Sequence, residues 1–215
     1  MVADESCAAS DQHQLVCHQT IIAKLMPPSG YFAHPTAIVE SLTIGEGTHI
    51  WAFAHVQEAA SLGKNCNIGD HCFIEAGVVL GDDVVVKNGV SIWEGVTIDS
   101  KVFVGPDVTF TNDSYPRAKV RRPFVNTHVH EGASLGAHST ILAGVKIGAF
   151  SMVGAGALVS HDVADHALVM GIPARQVGYV CRCGLRLPDL ADVGERVCSC
   201  GMRFDLQDGT MARLP

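Results

Sequence analysis

The sequence has few charged residues, no excess of basic ones and no long apolar segment. Lys, Arg, Asp and Glu make up 17% of the 215 residues, and the formal net charge is −7. A chain with this balance does not favour a general affinity for nucleic acid or for an anionic membrane. No segment approaches the ~20 apolar residues of a membrane-spanning helix. The segment MVADESCAASDQHQ carries acids where a secretory signal carries Lys or Arg, so we predict a cytoplasmic protein.

What the sequence does contain is a large apolar residue at every sixth position, in a chain that is 47% hydrophobic. Neither the helical period of 3.6 nor the strand period of two produces this spacing by itself. The column stops after Phe110 and resumes at Val129, so we interpret residues 111–128 as an inserted loop. The members before the loop are Ile38, Ile44, Ile50, Val56, Leu62, Ile68, Ile74, Leu80, Val86, Ile92, Ile98, Val104 and Phe110.

A second column, four residues after the first, holds small or branched residues. Gly often directly follows the first column, and we expect it to serve the turns because it accepts a positive φ at little cost. The second column comprises Leu42, Thr48, Ala54, Ala60, Cys66, Cys72, Val78, Val84, Val90, Val96, Val102 and Val108. The glycines are Gly45, Gly63, Gly69, Gly81 and Gly105.

The hexapeptide period predicts an all-β fold, a parallel β-helix in which three short strands and three turns close a triangular coil of eighteen residues. About six coils would stack at the spacing of neighbouring strands, ~4.8 Å. A flat antiparallel sheet of hairpins is the alternative, but hairpins would not keep one register over so many residues. We assign residues 1–30 to an N-terminal extension, 31–163 to the β-helix, 164–180 to a helix that caps its open end, and 181–215 to a Cys-rich tail.

The hexads, the loop and the tail motif GAGALVSHDVADHALVMGIPAR (154–175) resemble the left-handed β-helix acyltransferases. The run VKNGVSIWEGVTIDSKVFVGPDVTFTNDSYPRAK (86–119) is most similar to members that N-acetylate the 3-amino group of a nucleotide-linked sugar in surface-glycan or antibiotic-sugar pathways. The resemblance implies left-handed coiling and a homotrimer. It also implies acetyl-CoA in the groove between neighbouring prisms, with a UDP- or dTDP-linked amino sugar entering from the other end.

Two other functions stay open at this stage. One is acyl transfer to another small amine or hydroxyl. The other is a β-helix scaffold or metal-binding protein without transferase activity. The irregular insertion argues against a bare scaffold, because such a long loop in a regular array is usually functional.

The proposed catalytic residues stand at turn positions beside the loop. Glu94 and Asn112 are eighteen residues apart and should stack on one corner, about 5 Å apart. Asn88 holds the same turn position one face earlier, and the resemblance places the sugar amine near it. We take Asn88 and Glu94 as catalytic candidates, and Asn112 and Asp113 as substrate ligands. Ordinary solvated turn residues are the alternative, since Asn and Glu are common in turns.

The loop is locally basic, which suits the diphosphate of a nucleotide sugar or the phosphates of CoA. Its cations are Arg117, Lys119, Arg121 and Arg122, of which we take Arg117 and Arg121 as substrate ligands. Scattered charges on a solvated loop are the alternative interpretation.

For acetyl-CoA, the resemblance points to backbone groups along 136–156 and to basic residues of the tail motif. The candidates are Gly136, Ala137, Gly144, Gly154, Ala155, His161 and Arg175. His161 stands where the family often has Lys. We expect no obligatory His base, with His128 and His138 as alternatives, because in this branch the leaving CoA sulfur has been considered for that role. The pair His161 and His166 is also compatible with a zinc site of the γ-carbonic anhydrase kind, which the sugar-transferase run disfavours.

The tail contains C-x-C-G, thirteen residues, and C-x-C-G again. Two Cys pairs, each followed by Gly, resemble the knuckles of a zinc ribbon, so Cys181, Cys183, Cys198 and Cys200 are candidate ligands of a structural zinc. A small hairpin without metal is the alternative. Cys66 and Cys72 belong to the second column, and we predict that they pack in the core.

Overall fold

A computed structural model describes residues 30–120, 122–188, 194–207 and 210–214. The expected N-terminal extension lies outside the described residues except for Gly30, and so does Arg121. All regular secondary structure in these ranges is β, and no helix in them is long and apolar enough to cross a membrane.

Twenty-two of the strands form three sheets, one for each face of a prism. The nine-stranded sheet contains β1 (Phe32–Ala33), β4 (His49–Ile50), β7 (Asn67–Ile68), β10 (Val85–Val86), β13 (Phe103–Val104), β16 (Ser134–Leu135), β19 (Met152–Val153), β21 (Ala167–Met170) and β22 (Arg175–Tyr179). The seven-stranded sheet contains β2 (Ile38–Val39), β5 (His55–Val56), β8 (Phe73–Ile74), β11 (Ser91–Ile92), β14 (Thr109–Phe110), β17 (Thr140–Ile141) and β20 (Leu158–Val159). The six-stranded sheet contains β3 (Thr43–Ile44), β6 (Ser61–Leu62), β9 (Val79–Leu80), β12 (Val96–Ile98), β15 (Thr127–Val129) and β18 (Lys146–Ile147).

From β1 to β20, consecutive strands visit the three sheets in turn, and each of β1 to β17 pairs in parallel with the strand three places later. Val85 pairs with Phe103, eighteen residues further on, which is the coil length predicted from the hexads. The β-helix prediction is therefore confirmed: the fold is a parallel β-solenoid of stacked coils, consistent with a left-handed β-helix.

The first column fills the inside of this prism, as predicted, from Ile50 onwards. Ile50, Ile68, Ile74 and Ile92 have no exposed surface, and the second column packs beside them. Cys66 and Cys72 are buried in the same core, as expected, and burial raises the pKa of the Cys72 thiol to about 11. The core is thus one continuous apolar column that runs the length of the coils.

The first coil departs from the predicted register. Ile38 pairs with His55, only seventeen residues later, and is 57% exposed, while Val39 pairs with the buried Val56. Leu42 is fully exposed. The assignments of Ile38 and Leu42 to the inward columns are wrong, because a coil shorter by one residue moves every preceding side chain to the opposite face.

The prediction that the glycines after the first column serve the turns through a positive φ is wrong. Gly63 and Gly81 have ordinary φ values, and a Cβ at Gly63 would lie 2.4 Å from the carbonyl oxygen of Gly81. A Cβ at Gly81 would lie 2.5 Å from the backbone nitrogen of Ser100. Gly is needed here because the backbones of successive coils approach too closely for a side chain.

The inserted loop occupies residues 111–126, between β14 and β15. Across it, Phe103 pairs with Ser134, thirty-one residues later, so the insertion adds thirteen residues to one coil without changing the register of the sheet. Val125 N–H donates to Asn112 O (3.0 Å) and closes the base of the loop.

The predicted C-terminal helix over residues 164–180 is wrong. β21 pairs in parallel with β19, and β22 returns antiparallel to β21 after a turn that contains Gly171 and Pro173. The apolar run of β21 extends the nine-stranded sheet because the open edge of β19 offers unpaired backbone groups, which a strand satisfies and a helix does not.

After β22 comes a separate three-stranded antiparallel sheet. It contains β23 (Gly194–Val197), β24 (Arg203–Gln207) and β25 (Thr210–Arg213). Cys181, Leu187, Cys198, Phe204 and Met211 form a small buried cluster beside it. We call residues 181–214 the Cys tail.

Candidate functional site

The residues predicted for substrate and cofactor lie along the two edges of the seven-stranded sheet. We call the turns that join it to the nine-stranded sheet the first edge, and the turns that join it to the six-stranded sheet the second edge. Asn88, Gly136, Ala137, Gly154 and Ala155 lie on the first edge. Glu94, Asn112, Asp113, Gly144 and His161 lie on the second edge. Residues far apart in the sequence are thus stacked along the same two ridges.

On the second edge, Glu94 and Asn112 occupy successive coils, as their spacing predicts. The Asn112 amide donates to the backbone oxygen of Glu94 (3.2 Å), and the Glu94 N–H donates to the Glu75 carboxylate (2.7 Å). These bonds fix the backbone of Glu94. Its own carboxylate is exposed and has no hydrogen-bond partner among the described residues, so it is available to a ligand at the base of the loop.

On the first edge, Asn88 is bonded to the coil before it. Its side-chain oxygen accepts from the N–H of Asp70 (3.3 Å), and its amide nitrogen donates to the Asp70 carboxylate (3.2 Å). The amide is therefore held in one orientation with one N–H and one lone pair unused. Asn88 does not contact Glu94 or Asn112, since the width of the seven-stranded sheet separates the two edges.

The loop carries cations that have no ion-pair partner among the described residues. Arg117 donates to the backbone oxygen of Pro116 (3.0 Å), and Arg122 donates to that of Tyr115 (2.6 Å). The Asp113 carboxylate accepts from the N–H of Tyr115 (2.8 Å), an Asx-turn that shapes the start of the loop. Asp113 thus has a structural task, and the loop keeps its positive charge uncompensated.

The cofactor candidates on the first edge form a ridge of closely spaced backbone. A Cβ at Gly136 would lie 2.5 Å from the backbone nitrogen of Ala155, and one at Gly154 would lie 2.8 Å from Cγ of Met170. Small side chains at Ala137 and Ala155 leave this ridge low. An extended ligand that bonds to backbone groups can therefore lie close to it.

On the second edge, His161 and Arg175 line one cavity of about 350 Å³, together with Ser160, Asp162 and Gln176. Arg175 reaches it from β22, so the strand that replaces the predicted helix contributes to this cavity. Gly144 has a different role, because a Cβ there would lie 2.7 Å from Cγ1 of Val125, a residue of the loop base. Gly144 therefore gives the loop base room to pack against the coil, and this packing explains why a glycine occupies the position.

The structure also forms a cluster that the sequence did not reveal. His128 Nε2 lies 2.8 Å from Asp99 Oδ1, and His130 Nδ1 lies 3.2 Å from Asp99 Oδ2. Burial alone would raise the pKa of Asp99, but the hydrogen bonds and charge of the two imidazoles hold that pKa below its usual range. The pairing of Asp99 with the His residues was hidden because the loop lengthens the usual eighteen-residue spacing. A coil that contains the thirteen inserted residues spans thirty-one residues, and counting thirty-one from Asp99 leads to His130.

The four cysteines of the tail lie together, with all four Sγ atoms within 4.8 Å of one another. The N–H of Cys200 donates to the Cys198 sulfur and lowers the pKa of that thiol to about 7, while burial raises the pKa of Cys181 to about 12. Cys183 and Cys200 are exposed. The other histidine pair considered for zinc does not form a site of this kind. His161 lines the second-edge cavity, while His166 is buried and its Nδ1–H donates to Val180 O (2.9 Å).

The chain is similar to proteins of known families. The family described as bacterial transferase hexapeptide (six repeats) matches residues 41–76 and 65–100, and the hexapeptide repeat of succinyl-transferase matches residues 129–160. The dTDP-3-amino-3,6-dideoxy-alpha-D-galactopyranose 3-N-acetyltransferase of Aneurinibacillus thermoaerophilus is 50% identical over 184 residues, which is 85% of this chain and 95% of the relative.

Two further relatives share less with the chain. The bifunctional protein GlmU of Sorangium cellulosum (strain So ce56) is 28% identical over 174 residues, 80% of this chain and 35% of that protein. Among solved structures, the acetyltransferase domain of PglB from Neisseria gonorrhoeae FA1090 in complex with acetyl coenzyme A has a TM-score of 0.49 at 22% identity. That alignment covers 77% of this chain and 65% of the domain.

Proposed function

This chain belongs to the bacterial hexapeptide-repeat transferases, and we propose that it moves an acetyl group from acetyl-CoA to the 3-amino group of a dTDP-linked 3-amino-3,6-dideoxyhexose. The observation that carries the proposal is the 50% identity to an enzyme of that name over 95% of its length. The two ridges beside a basic loop give the chain candidate sites for both substrates.

The reaction sets the chemical requirements of the site. The amine nitrogen attacks the thioester carbonyl carbon, the carbon–sulfur bond breaks, and CoA leaves as a thiol with a proton that the amine gives up. A sugar amine is largely protonated near neutral pH, so a group must accept a proton before attack. The developing oxyanion needs donors, for which backbone N–H groups are suitable.

We assign the proton acceptor to Glu94. Its backbone is fixed by Glu75 and Asn112, and its unpaired carboxylate lies at the base of the loop. A carboxylate there attracts the ammonium form of the sugar and takes its proton. Asn88 lies on the other edge of the sheet, so the Asn88 that positions the amine beside Glu94 would belong to a neighbouring chain of the proposed trimer. Oriented by Asp70, it offers its free N–H and lone pair to the amine. Asn112 keeps Glu94 in place and lines the same edge.

The loop cations suit the diphosphate of the nucleotide. Arg117 and Lys119 are exposed and have no ion-pair partner among the described residues, and Arg121 belongs to the same segment by sequence. A guanidinium binds a phosphate with two parallel hydrogen bonds. Asp113 contributes by shaping the loop rather than by contacting the anion, which its charge would repel.

Acetyl-CoA fits the part of the chain beyond the loop. The ridge of Gly136, Ala137, Gly154 and Ala155 lets an extended pantetheine arm approach backbone donors and acceptors. His161 and Arg175 line a cavity in which Asp162 is the only acid among the described residues, and these two side chains suit CoA phosphates.

The assembly implied by the family resemblance is a homotrimer, which would complete each site from two chains. Exposed apolar side chains on the loop support this proposal: Tyr115 is 73% exposed, Val120 50% and Phe124 46%. Exposed apolar patches are typical of protein–protein contacts, and these three side chains belong to one short segment. That the protein works in the cytoplasm stays a prediction from its sequence.

The test is a steady-state assay of the purified chain with acetyl-CoA and a panel of dTDP- and UDP-linked amino sugars. We expect CoA release and a product heavier by one acetyl group with the dTDP-linked 3-amino sugar. The absence of both turnover and a thermal shift, with every nucleotide sugar and with CoA, would refute the proposal and favour a scaffold. Turnover of another amine alone would reassign the substrate.

Matched variants test the assigned residues. Glu94→Gln should lower kcat by about 10²-fold or more, the range for loss of a general base. Glu58→Gln, two coils earlier on the same edge, should leave kcat unchanged. Asn88→Ala should lower kcat, whereas Asn65→Ala, which removes a similar amide bridge to Asp83 at another corner, should not.

Variants of His128 and His138 test the alternative that a histidine, rather than Glu94, is the base. We expect His128→Ala and His138→Ala each to keep kcat within tenfold of the parent enzyme. A loss of about a thousandfold at either, with Glu94→Gln nearly active, would move the base to that His. If all three variants stay active, the CoA sulfur would take the proton.

A further inference from the structure

The two cysteine turns of the tail have the same backbone geometry, although thirteen residues lie between the two C-x-C-G motifs. In the first, Gly184 N–H donates to Cys181 O (2.8 Å) and Cys181 N–H donates to Leu185 O (2.9 Å). In the second, Gly201 N–H donates to Cys198 O (2.9 Å) and Cys198 N–H donates to Met202 O (2.9 Å). Both glycines have a positive φ, +85° and +89°. Each turn therefore presents two sulfurs on one side, and the two turns face each other.

The distances between the sulfurs match a tetrahedral metal centre. Cys181 Sγ lies 3.6 Å from Cys200 Sγ, and Cys183 Sγ lies 3.6 Å from Cys198 Sγ. A tetrahedron with zinc–sulfur bonds of ~2.3 Å has edges of ~3.8 Å between its ligands. A disulfide requires only ~2.05 Å between sulfurs. The four side chains thus have the separation and the soft donor atoms that Zn²⁺ prefers.

We propose that Cys181, Cys183, Cys198 and Cys200 bind one Zn²⁺ ion that fastens the Cys tail over the last coil of the β-helix. Four protein sulfurs complete the tetrahedral shell and leave no position for substrate or water, so the role of the metal is structural. The inference does not depend on the identity of the transferase substrate.

The contacts of the tail with the coils indicate what the metal would secure. The Phe204 ring packs edge-on against His166 with centroids 5.0 Å apart, and His166 stacks on Phe150 at 5.5 Å. The Arg182 guanidinium lies over the Phe150 ring at 4.3 Å. Val180 N–H donates to His166 O (2.7 Å). The tail therefore packs against the corner of the last coils that carries Phe150 and His166.

The tail is too small to hold this position by burial alone. Among its described residues, the apolar cluster has only five buried members, of which Cys181 and Cys198 are two. Units below ~40 residues usually need a metal, disulfides or association to fold. Because both turns depend on the metal for their mutual position, removing the ion should release the second turn and the three-stranded sheet from the coils.

The test uses the purified full-length chain, with metal content measured by elemental analysis. We expect about one zinc per chain, and the same value in the Cys66→Ala variant, which alters a core cysteine outside the tail. The double variant Cys198→Ser/Cys200→Ser should hold less than a tenth of a zinc. Cobalt(II) added after zinc removal should give the strong visible absorption of a tetrahedral thiolate site in the parent chain and not in the double variant.

A second measurement tests whether the bound metal keeps the Cys tail packed against the coils. Limited proteolysis should cut the double variant, or the chelator-treated parent, within the Cys tail and leave the coils intact. No bound metal together with four free tail thiols would overturn the proposal. Two disulfides found by mass analysis would replace it with a covalently closed tail. Bound iron instead of zinc would overturn the choice of metal. A metal-free tail as protease-resistant as the parent would overturn the role of the metal in fastening the tail to the last coil.

Discussion

The coils and the Cys tail of this chain bury their apolar side chains on different scales. The coils form one continuous core in which each buried residue stacks on the residue of the preceding coil. The described part of the tail has five buried apolar residues and three antiparallel strands. Repetition lets the coils share one core, so each added coil gains a ready-made neighbour. The tail has no such neighbour beyond the last coil, and its cohesion depends on a few specific contacts.

The largest expected effect comes from a cavity in the coils. Ile92→Ala should lower the free energy of unfolding by about 2–5 kcal/mol, since Ile92 has no exposed surface. Ser91→Ala, the outward neighbour on β11, should change it by less than about 0.5 kcal/mol. Denaturant unfolding measures both. If the two variants were equally stable, the shared core would not be the main source of stability.

A smaller effect is expected where two coils touch through their backbones. Gly81→Ala should cost about 1–3 kcal/mol, the range for overpacking, because its Cβ would meet the backbone of Ser100. Lys87→Ala is the control, since Lys87 follows the first column as Gly81 does and already accommodates a side chain. Thermal unfolding of both variants measures the loss of stability. If Gly81→Ala were as stable as the parent, the coils would be able to separate slightly at no cost.

The smallest effect should appear at the junction between the coils and the tail. Burial lowers the pKa of His166, which faces Arg182 and Asp165 and packs against Phe204. The unfolded chain then binds a proton more readily than the folded one, so stability should fall as the pH drops through the ordinary imidazole value of ~6.5.

Unfolding of the parent and of His166→Asn across that pH range measures this contribution. The variant lacks the titrating group, so its stability should depend less on pH than that of the parent. Equal slopes would show that His166 titrates alike in both states, and the junction would then be more open than its burial indicates.

Much of the fold was predictable from sequence because a repeat states the same physical requirement many times. The coil length of eighteen, the inward columns from Ile50 onwards and the buried Cys66 and Cys72 all follow from the six-residue period. The prediction failed at Ile38, where one shorter coil reversed the faces, and at 164–180, where an apolar run suited either a helix or a strand.

The candidate site was predictable only where the period reached it. The stacking of Glu94 and Asn112 followed from their spacing, whereas the link between Asp99 and His128 was hidden by the loop. Zinc binding and the roles of Glu94 and Asn88 are not encoded in the six-residue period, so metal analysis and the kinetics of the variants decide them.

The sequence by itself determined the coil, because burial of a large residue every six positions leaves few other structures possible. It also determined the composition of the Cys tail. The tertiary structure decided how the ends are completed: β21 satisfies the open strand edge of β19, and the two cysteine turns face each other across a gap of metal-ligand size. These choices depend on backbone hydrogen bonds and on contacts between distant segments, which a local pattern of residues does not specify.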